Sequence, residues 1–255
     1  MYMTMKQICR VTISMALLII FQSELRAQDP AEIIERMDQT MRGKSSYAEM
    51  TMKIERPRYE REISMRSWLL GRDYSLIVIT APARDEGTAY LMHEDRIWNY
   101  DPNIDRVTRL PSSMMAQSWM GSDFTNDDLV RDSDIVADYE HELLRTESYQ
   151  DRECYVIEMV PRPDIPIVWG KVVVWVSIDG HMQLRAENYD QQMNLVNTME
   201  LDEVRQMDDR EIPTRMTVIP FDTDDERTIL TYETIAFDID IEEEFFTRQN
   251  MQRVR

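Results

Sequence analysis

The spacing of apolar residues follows a helical period before Gly43 and a strand period after it. Ile33, Ile34, Met37 and Met41 recur at the spacing of one helix face, and Gly43 is a natural stop for the helix. A helix-start signature precedes them and comprises Asp29, Pro30 and Glu32. The pattern predicts one amphipathic helix whose single apolar face must pack on a sheet.

Beyond the helix, apolar and polar residues alternate as they do in strands. Within residues 47–56, Ala48, Met50, Met52 and Ile54 alternate with polar residues. Similar runs, alternating or wholly apolar, continue to residue 236, and short turn sequences such as Asp179-Gly180 separate them. We expect about ten or eleven strands with short connections.

The order of these elements predicts a mainly β protein. Strands do not alternate with helices, so an antiparallel meander is favoured over a parallel sheet. A meander of this length must curl, split into a sandwich or close into a barrel. No repeat or linker divides the chain, and we expect a single domain over residues 28–255.

Residues 112–134 (SSMMAQSWMGSDFTNDDLVRDSD) fit neither period. A long irregular connection in a compact domain is usually functional or disordered, and this one is too apolar to be disordered. We interpret it as a flap that covers an apolar surface; the alternative is a fixed plug that never opens. Six large apolar side chains lie in it: Met114, Met115, Trp119, Met120, Phe124 and Leu129.

The first 27 residues have the pattern of a signal peptide. Lys6 and Arg10 precede an apolar run at residues 11–21, which is too short to span a bilayer. A small residue then allows cleavage between Ala27 and Gln28, with an uncleaved membrane anchor as the alternative. We therefore expect a soluble exported protein.

Charge and composition exclude further classes of function. The net charge is −19, and the first 27 residues carry three basic residues and one acidic residue, so the mature chain carries about −21. Without a basic stripe, such a chain does not bind nucleic acid. Only Cys154 remains after processing, in an apolar context that indicates a buried thiol. Sixteen methionines remain, enough either to pad an ordinary core or to line an adaptable cavity.

Few residues suggest catalysis or metal binding. His93, His141 and His181 are scattered, two of them beside turns, so we expect no metal site. No metalloprotease, nucleophile-elbow or glycine-rich phosphate motif occurs in the sequence. We expect a protein that is not an enzyme and needs no cofactor; a hydrolase of envelope lipids is the disfavoured alternative.

Four segments resemble one known family. Residues 120–129 (MGSDFTNDDL) resemble the most specific signature of the LolA-like family of outer membrane lipoprotein-sorting proteins. Residues 97–102 (IWNYDP), 171–176 (KVVVWV) and 187–190 (ENYD) resemble weaker strand motifs of the same family. The resemblance covers most of the mature chain.

The resemblance implies both a fold and a role. The implied fold is an antiparallel sheet curled into a half-open barrel, with the N-terminal helix and the short helical flap covering the open side. The implied role is a periplasmic carrier of lipid or lipidated cargo, with acyl chains of lipids or lipoproteins as ligands. Partners would include an inner-membrane exporter of the RND type or an outer-membrane acceptor, and we expect a monomer.

The candidate ligand-binding residues lie on the flap, the wall and the helix. The six flap residues named above would be the movable contacts. The wall and helix candidates are Trp68, Trp98, Trp169, Trp175, Met37 and Met41. The alternative function is a periplasmic sensor or accessory interaction module of the same fold, which binds a membrane partner and transports nothing.

Overall fold

The computed structural model describes residues 29–94, 96–131, 134–163, 165, 167–223 and 225–254. The predicted signal peptide and its cut between Ala27 and Gln28 lie outside these residues. Within the described ranges, no helix combines the length and the apolar character needed to cross a membrane.

The predicted helix forms as α1 (Pro30–Arg42). The Asp29 carboxylate accepts a hydrogen bond from the amide of Ala31 at 3.0 Å, which satisfies one of the free donors of the first turn. Gly43 ends the helix with φ +69°, a conformation that favours glycine. The helix buries Ile33, Ile34 and Met37, which confirms the predicted apolar face.

Thirteen strands form one antiparallel sheet, rather than the ten or eleven expected. The helix, the antiparallel pairing and the open sheet were predicted correctly. The strands are β1 (Ser45–Arg56), β2 (Tyr59–Leu70), β3 (Tyr74–Ala81), β4 (Ala89–His93), β5 (Arg96–Asp101), β6 (Arg106–Arg109), β7 (Tyr139–Tyr149), β8 (Arg152–Pro161), β9 (Lys171–Ser177), β10 (Gln183–Tyr189), β11 (Leu195–Met207), β12 (Arg210–Pro220) and β13 (Arg227–Phe237).

The sheet order brings the two ends of the chain together in the middle. The order is β6-β5-β4-β3-β2-β1-β13-β12-β11-β10-β9-β8-β7, so β1 pairs with β13 at the centre. Among the described residues, no pairing joins β6 to β7, and the sheet stays open. The flap connects these two edge strands and therefore lies across the opening.

The two faces of the sheet bury different clusters. The inner face carries residues such as Met52 and Ile63 on one half and Ile157 and Val174 on the other. Helix α1 packs on the inner face against β7, β9 and β12. The outer face of β2 to β5 is covered by the C-terminal segment, which includes the short helix α2 (Arg248–Met251) and the fully buried Phe246.

Candidate functional site

A cavity of about 310 Å³ lies between α1, the flap and the inner face of the sheet. Pockets that hold small ligands are typically of this size or larger, and mostly apolar. Sixteen of its lining residues are apolar or aromatic: Met37, Met41, Leu69, Leu129, Ile135, Tyr139, Met159, Trp169, Val172, Val174, Ala186, Met199, Leu201, Met216, Leu230 and Tyr232. We call this space the inner cavity.

Methionine supplies much of its wall. Met37 and Met41 reach in from α1, and Met159, Met199 and Met216 reach in from the sheet. Methionine side chains are flexible and polarizable, so they adjust to apolar ligands of different shapes. The inner cavity can therefore hold an apolar body without demanding one fixed outline.

Charged residues occupy one end of the inner cavity. Asp38 and Arg42 of α1 line it there, at an Nε–Oδ1 distance of 3.5 Å from each other. Arg72, in the β2–β3 turn, approaches Asp38 at 2.6 Å and also pairs with Asp134, just beyond the flap's helical turn. These ion pairs tie α1, the sheet and the end of the flap together.

Asp128 fixes the flap to the cavity wall. Its carboxylate accepts a hydrogen bond from the indole Nε1 of Trp169 at 2.9 Å and from the amide of Thr125 at 2.7 Å. The Thr125 hydroxyl accepts in return from the amide of Asp128 at 3.1 Å, which is the reciprocal pattern of a capping box. Burial raises the pKa of the Asp128 carboxyl above its ordinary value, although both of these partners oppose the change. The capped turn that follows is a π-helical turn, Asp127–Arg131.

The signature segment of the flap folds into a tight hairpin. The amide of Trp119 donates to the carbonyl of Phe124 at 2.8 Å, and Ser118 bridges to Thr125. Gly121 turns the chain with φ +81°. Ser122 closes the turn from inside, because its hydroxyl donates to the carbonyl of Trp119 at 2.7 Å.

Two arginines hold the hairpin tip at the end of the sheet. The guanidinium of Arg56 binds the carboxylate of Asp123 through two hydrogen bonds, at 2.8 and 3.1 Å. Arg61 donates to the carbonyl of Met120 at 2.9 Å. The Thr228 hydroxyl donates to Asp123 at 2.7 Å. A bidentate arginine–carboxylate pair of this kind is both strong and directional.

The apolar side chains of the flap pack on the other half of the inner face. Met115, Trp119 and Phe124 are buried against β1 to β5, and Met114 and Met120 pack beside them. The indole Nε1 of Trp119 finds no hydrogen-bond partner among the described residues. This half of the inner face is therefore filled by the protein's own side chains.

The structure brings part of the predicted set together. Met37, Met41, Leu129 and Trp169 line the inner cavity. The other five flap residues lie next to it, in the cluster formed with β1 to β5.

Three predicted wall residues lie elsewhere. Trp68 and Trp98 are on the outer face beneath the C-terminal segment, and Trp175 is on the outer face near Tyr149. The alternation of side chains along β2 predicts the outer-face position of Trp68, which falls in the phase opposite to Ile63 and Met65. The run around Trp175 is apolar on both faces, so its sequence carries no such signal.

Several lining residues were not predicted, notably Met199, Met216 and Tyr232. Met199 lies in phase with Leu201 on β11, so its inward orientation could be read from alternation. Its position beside the cavity could not be predicted from the sequence, because that position depends on which strands α1 crosses.

A wider cleft of about 670 Å³ lies at the outer side of α1. Its arginines are engaged with acids: Arg36 with Glu32, Arg152 with Asp179, and Arg210 with two aspartates. Its lining is mainly polar, so it offers an apolar ligand little contact.

The described residues contain no group of three His, Cys, Asp or Glu side chains placed to hold a metal ion. The hydroxyl of Ser122, the serine of the signature, donates its hydrogen bond to the backbone carbonyl of Trp119. Cys154 is fully buried, and burial raises the pKa of its thiol to about 11, so the reactive thiolate is disfavoured.

Comparison with known proteins places the fold. A family model described as "Uncharacterized protein" matches residues 71–253. A putative outer membrane lipoprotein-sorting protein domain from Vibrio parahaemolyticus is 26% identical, with a TM-score of 0.79 over 88% of this chain and 98% of that chain. No curated protein sequence matches the chain.

Two further solved structures share the architecture. A DUF1329 family protein from Desulfovibrio piger is 28% identical, with a TM-score of 0.79 over 88% of this chain and all of that chain. A LolA superfamily protein from Nitrosomonas europaea is 24% identical, with a TM-score of 0.76 over 88% and 99% of the two chains. The fold and its covered concavity thus define a LolA-like protein. The chain belongs to the family whose model matches residues 71–253, and its fold is that of outer membrane lipoprotein-sorting and LolA superfamily structures.

Proposed function

We propose that this protein is a non-enzymatic periplasmic carrier that binds the acyl part of a lipid or lipidated protein in the inner cavity. The observation that carries the proposal is the methionine-lined cavity beneath the flap. The similarity to a putative lipoprotein-sorting domain supports the same role. The predicted signal peptide supports a periplasmic location.

Binding an acyl chain in this cavity is energetically reasonable. Each methylene removed from water contributes about 0.8 kcal/mol. A carrier must also release its cargo, and a membrane offers the same gain per methylene. Adaptable walls and a displaceable flap meet both requirements, because neither locks the ligand in place by specific polar contacts.

The test is a titration of delipidated protein with a fluorescent fatty acid. In the Met199→Trp variant a larger side chain enters the inner cavity, and we expect the affinity to fall at least tenfold. Thr198→Trp is the matched control, since Thr198 lies on the opposite face of the same strand. Absence of saturable binding by the parent would contradict the proposal.

A second candidate is an interaction module that binds a membrane partner. It is favoured by exposed apolar side chains at one end of the sheet, where Phe221, Met193 and Val196 are 65%, 53% and 38% exposed. Purification from the organism's own envelope discriminates the two functions. Retained lipid, visible as added mass in native mass spectrometry, supports the carrier, and a stable one-to-one protein complex supports the module.

A further inference from the structure

The inner face of the described strands holds two compartments, one that is open space and one that side chains of the flap fill. The inner cavity lies against α1, the strands from β7 to β13 and Leu69 at the end of β2. The other, which we call the flap compartment, is formed by β1 to β5 and contains Met115, Trp119 and Phe124. Met199 and Val168 pack against the core clusters of both halves, so the two compartments adjoin.

The flap compartment is lined much as the inner cavity is. Its wall is made of aliphatic and methionine side chains: Met50, Met52, Ile54, Ile63, Met65, Ile77, Ile79 and Met92. An acyl chain could replace the apolar contacts that the flap makes there, because such contacts are non-directional.

Trp119 is a poor occupant of this compartment. Its side chain is fully buried, with its ring 5.3 Å from that of Tyr90, yet no described residue accepts a hydrogen bond from its indole N–H. By contrast, the indole of Trp169 donates to Asp128 and that of Trp175 to Glu147. A buried unpaired donor regains a hydrogen bond with water when the flap opens, which favours opening by about 5- to 150-fold.

The polar contacts of the hairpin lie at its tip. Arg56 and Thr228 bind Asp123, and Arg61 binds the Met120 carbonyl, all at the end of the sheet. Trp119 itself is held by packing and by hydrogen bonds within the hairpin. A ligand that competes for the packing therefore weakens most of what keeps the side chain in place.

We propose that the flap compartment is a second, latent acyl-binding site that opens when a ligand with a second chain expels Trp119. This rests on the proposed carrier function and extends it. A one-chain ligand fills the inner cavity and leaves Trp119 buried. A two-chain ligand fills both compartments, and the unpaired N–H of Trp119 keeps the cost of displacing the flap low.

The experiment compares lysophosphatidylethanolamine with phosphatidylethanolamine, which have the same headgroup and one or two chains. Backbone hydrogen exchange of residues 118–125 is measured with each lipid at saturation. We expect both to bind, and only the two-chain lipid to accelerate exchange of the hairpin, by tenfold or more. Binding of both lipids with equal exchange overturns this inference and leaves the carrier intact. Binding of neither overturns the carrier proposal itself.

A second arm isolates the indole N–H. Trp119 is replaced by 3-benzothienylalanine, which has nearly the same shape but carries sulfur in place of the N–H. We expect slower exchange of the hairpin, at least fivefold weaker binding of the two-chain lipid and unchanged binding of the one-chain lipid. The same replacement at Trp169 is the control and should instead destabilise the protein, because it leaves Asp128 without that donor. Unchanged exchange in the Trp119 variant would show that the unpaired N–H has no such role.

Discussion

At the level of single residues, Arg56 joins the flap to the end of the central strand β1. Its side chain and that of Asp123 are only 12% and 11% exposed. Arg56→Met keeps much of the side-chain volume but leaves the Asp123 carboxylate without its charged partner. We expect the free energy of unfolding to fall by about 3 kcal/mol, because breaking a buried pair strands the remaining charge. Urea denaturation measures this change.

The matched control for Arg56 is Arg36, whose pair with Glu32 on α1 is more than half exposed. Arg36→Met should change the free energy of unfolding by about 0.5 kcal/mol or less, as for most exposed helix pairs. Equal losses in the two variants would contradict the importance assigned to the Arg56–Asp123 pair.

Asp128 should give the protein an unusual pH dependence. Burial raises the pKa of its carboxyl in the folded state, so the folded protein binds this proton more tightly than the unfolded chain does. The protonated carboxyl contributes its whole stabilisation when the pH is below the ordinary pKa of an Asp side chain. This contribution is lost as the pH rises through the raised pKa of the folded state. Relative to the parent, Asp128→Asn should therefore become more stable as the pH rises above the ordinary carboxyl pKa of 3.8 and through the raised one. Urea denaturation at several pH values measures this difference.

Asp190 provides the control of opposite sign. Hydrogen bonds from the Asn194 side chain and backbone lower the pKa of its carboxyl. The ionised Asp190 carboxylate stabilises the fold when the pH is above the ordinary Asp pKa, and this stabilisation is lost as the pH falls through the lowered pKa. As the pH rises, Asp190→Asn should therefore lose stability relative to the parent. If the free energy of unfolding of Asp128→Asn differs from that of the parent by the same amount at every pH, the raised pKa of Asp128 is contradicted.

At the level of elements, the C-terminal segment supports the fold from the outer face. Phe246 is fully buried there among Leu76, Leu91 and Met251. We expect Phe246→Ala to lower the free energy of unfolding by about 3–5 kcal/mol, the usual cost of removing a buried phenylalanine. Thermal and urea unfolding measure the loss.

Phe221 supplies the comparison for Phe246, because it is 65% exposed. Phe221→Ala should leave stability nearly unchanged. Neither substitution touches the inner cavity, so fatty-acid affinity measured at a temperature where both variants are folded should match the parent. A selective loss of affinity in Phe246→Ala would mean that the two faces of the sheet are coupled.

Local sequence signals predicted the elements better than their arrangement. The N-cap at Asp29 and the stop at Gly43 act within a few residues, and both were predicted correctly. Alternation likewise identified the strands, because a pleated strand exposes every second side chain to one face. The structure has thirteen strands rather than ten or eleven, and two of them, β4 and β6, are only five and four residues long.

The site was predictable where one segment carries it. The flap concentrates its apolar residues in sequence, and Trp119 and Phe124 are indeed buried together. The Arg56–Asp123 pair joins residues 67 positions apart, and alternation holds no information about such a contact. For the same reason, the strands that α1 crosses, and hence the cavity, follow from tertiary packing alone.

At the level of the whole molecule, the two faces of one sheet have different roles: the outer face stabilises the fold and the inner face provides the binding cavity. The outer face is packed under the C-terminal segment, whereas the inner face keeps a space of about 310 Å³. An engineered apolar cavity of about 150 Å³ already binds benzene. The inner cavity has roughly twice that volume, which suits one chain of limited length in the closed form.

This volume predicts how affinity depends on chain length. For saturated fatty acids short enough to fit, each added methylene should increase affinity by about fourfold, which corresponds to about 0.8 kcal/mol. Once the inner cavity is full, further methylenes remain near water or must displace flap side chains, so the increments should shrink. Calorimetric titration of a series of chain lengths measures the plateau. Met199→Trp should move the plateau to shorter chains and leave the early increments unchanged, since it removes space without altering the chemistry of the wall. A constant increment across the whole series, in both proteins, would show that the chain does not bind in the inner cavity.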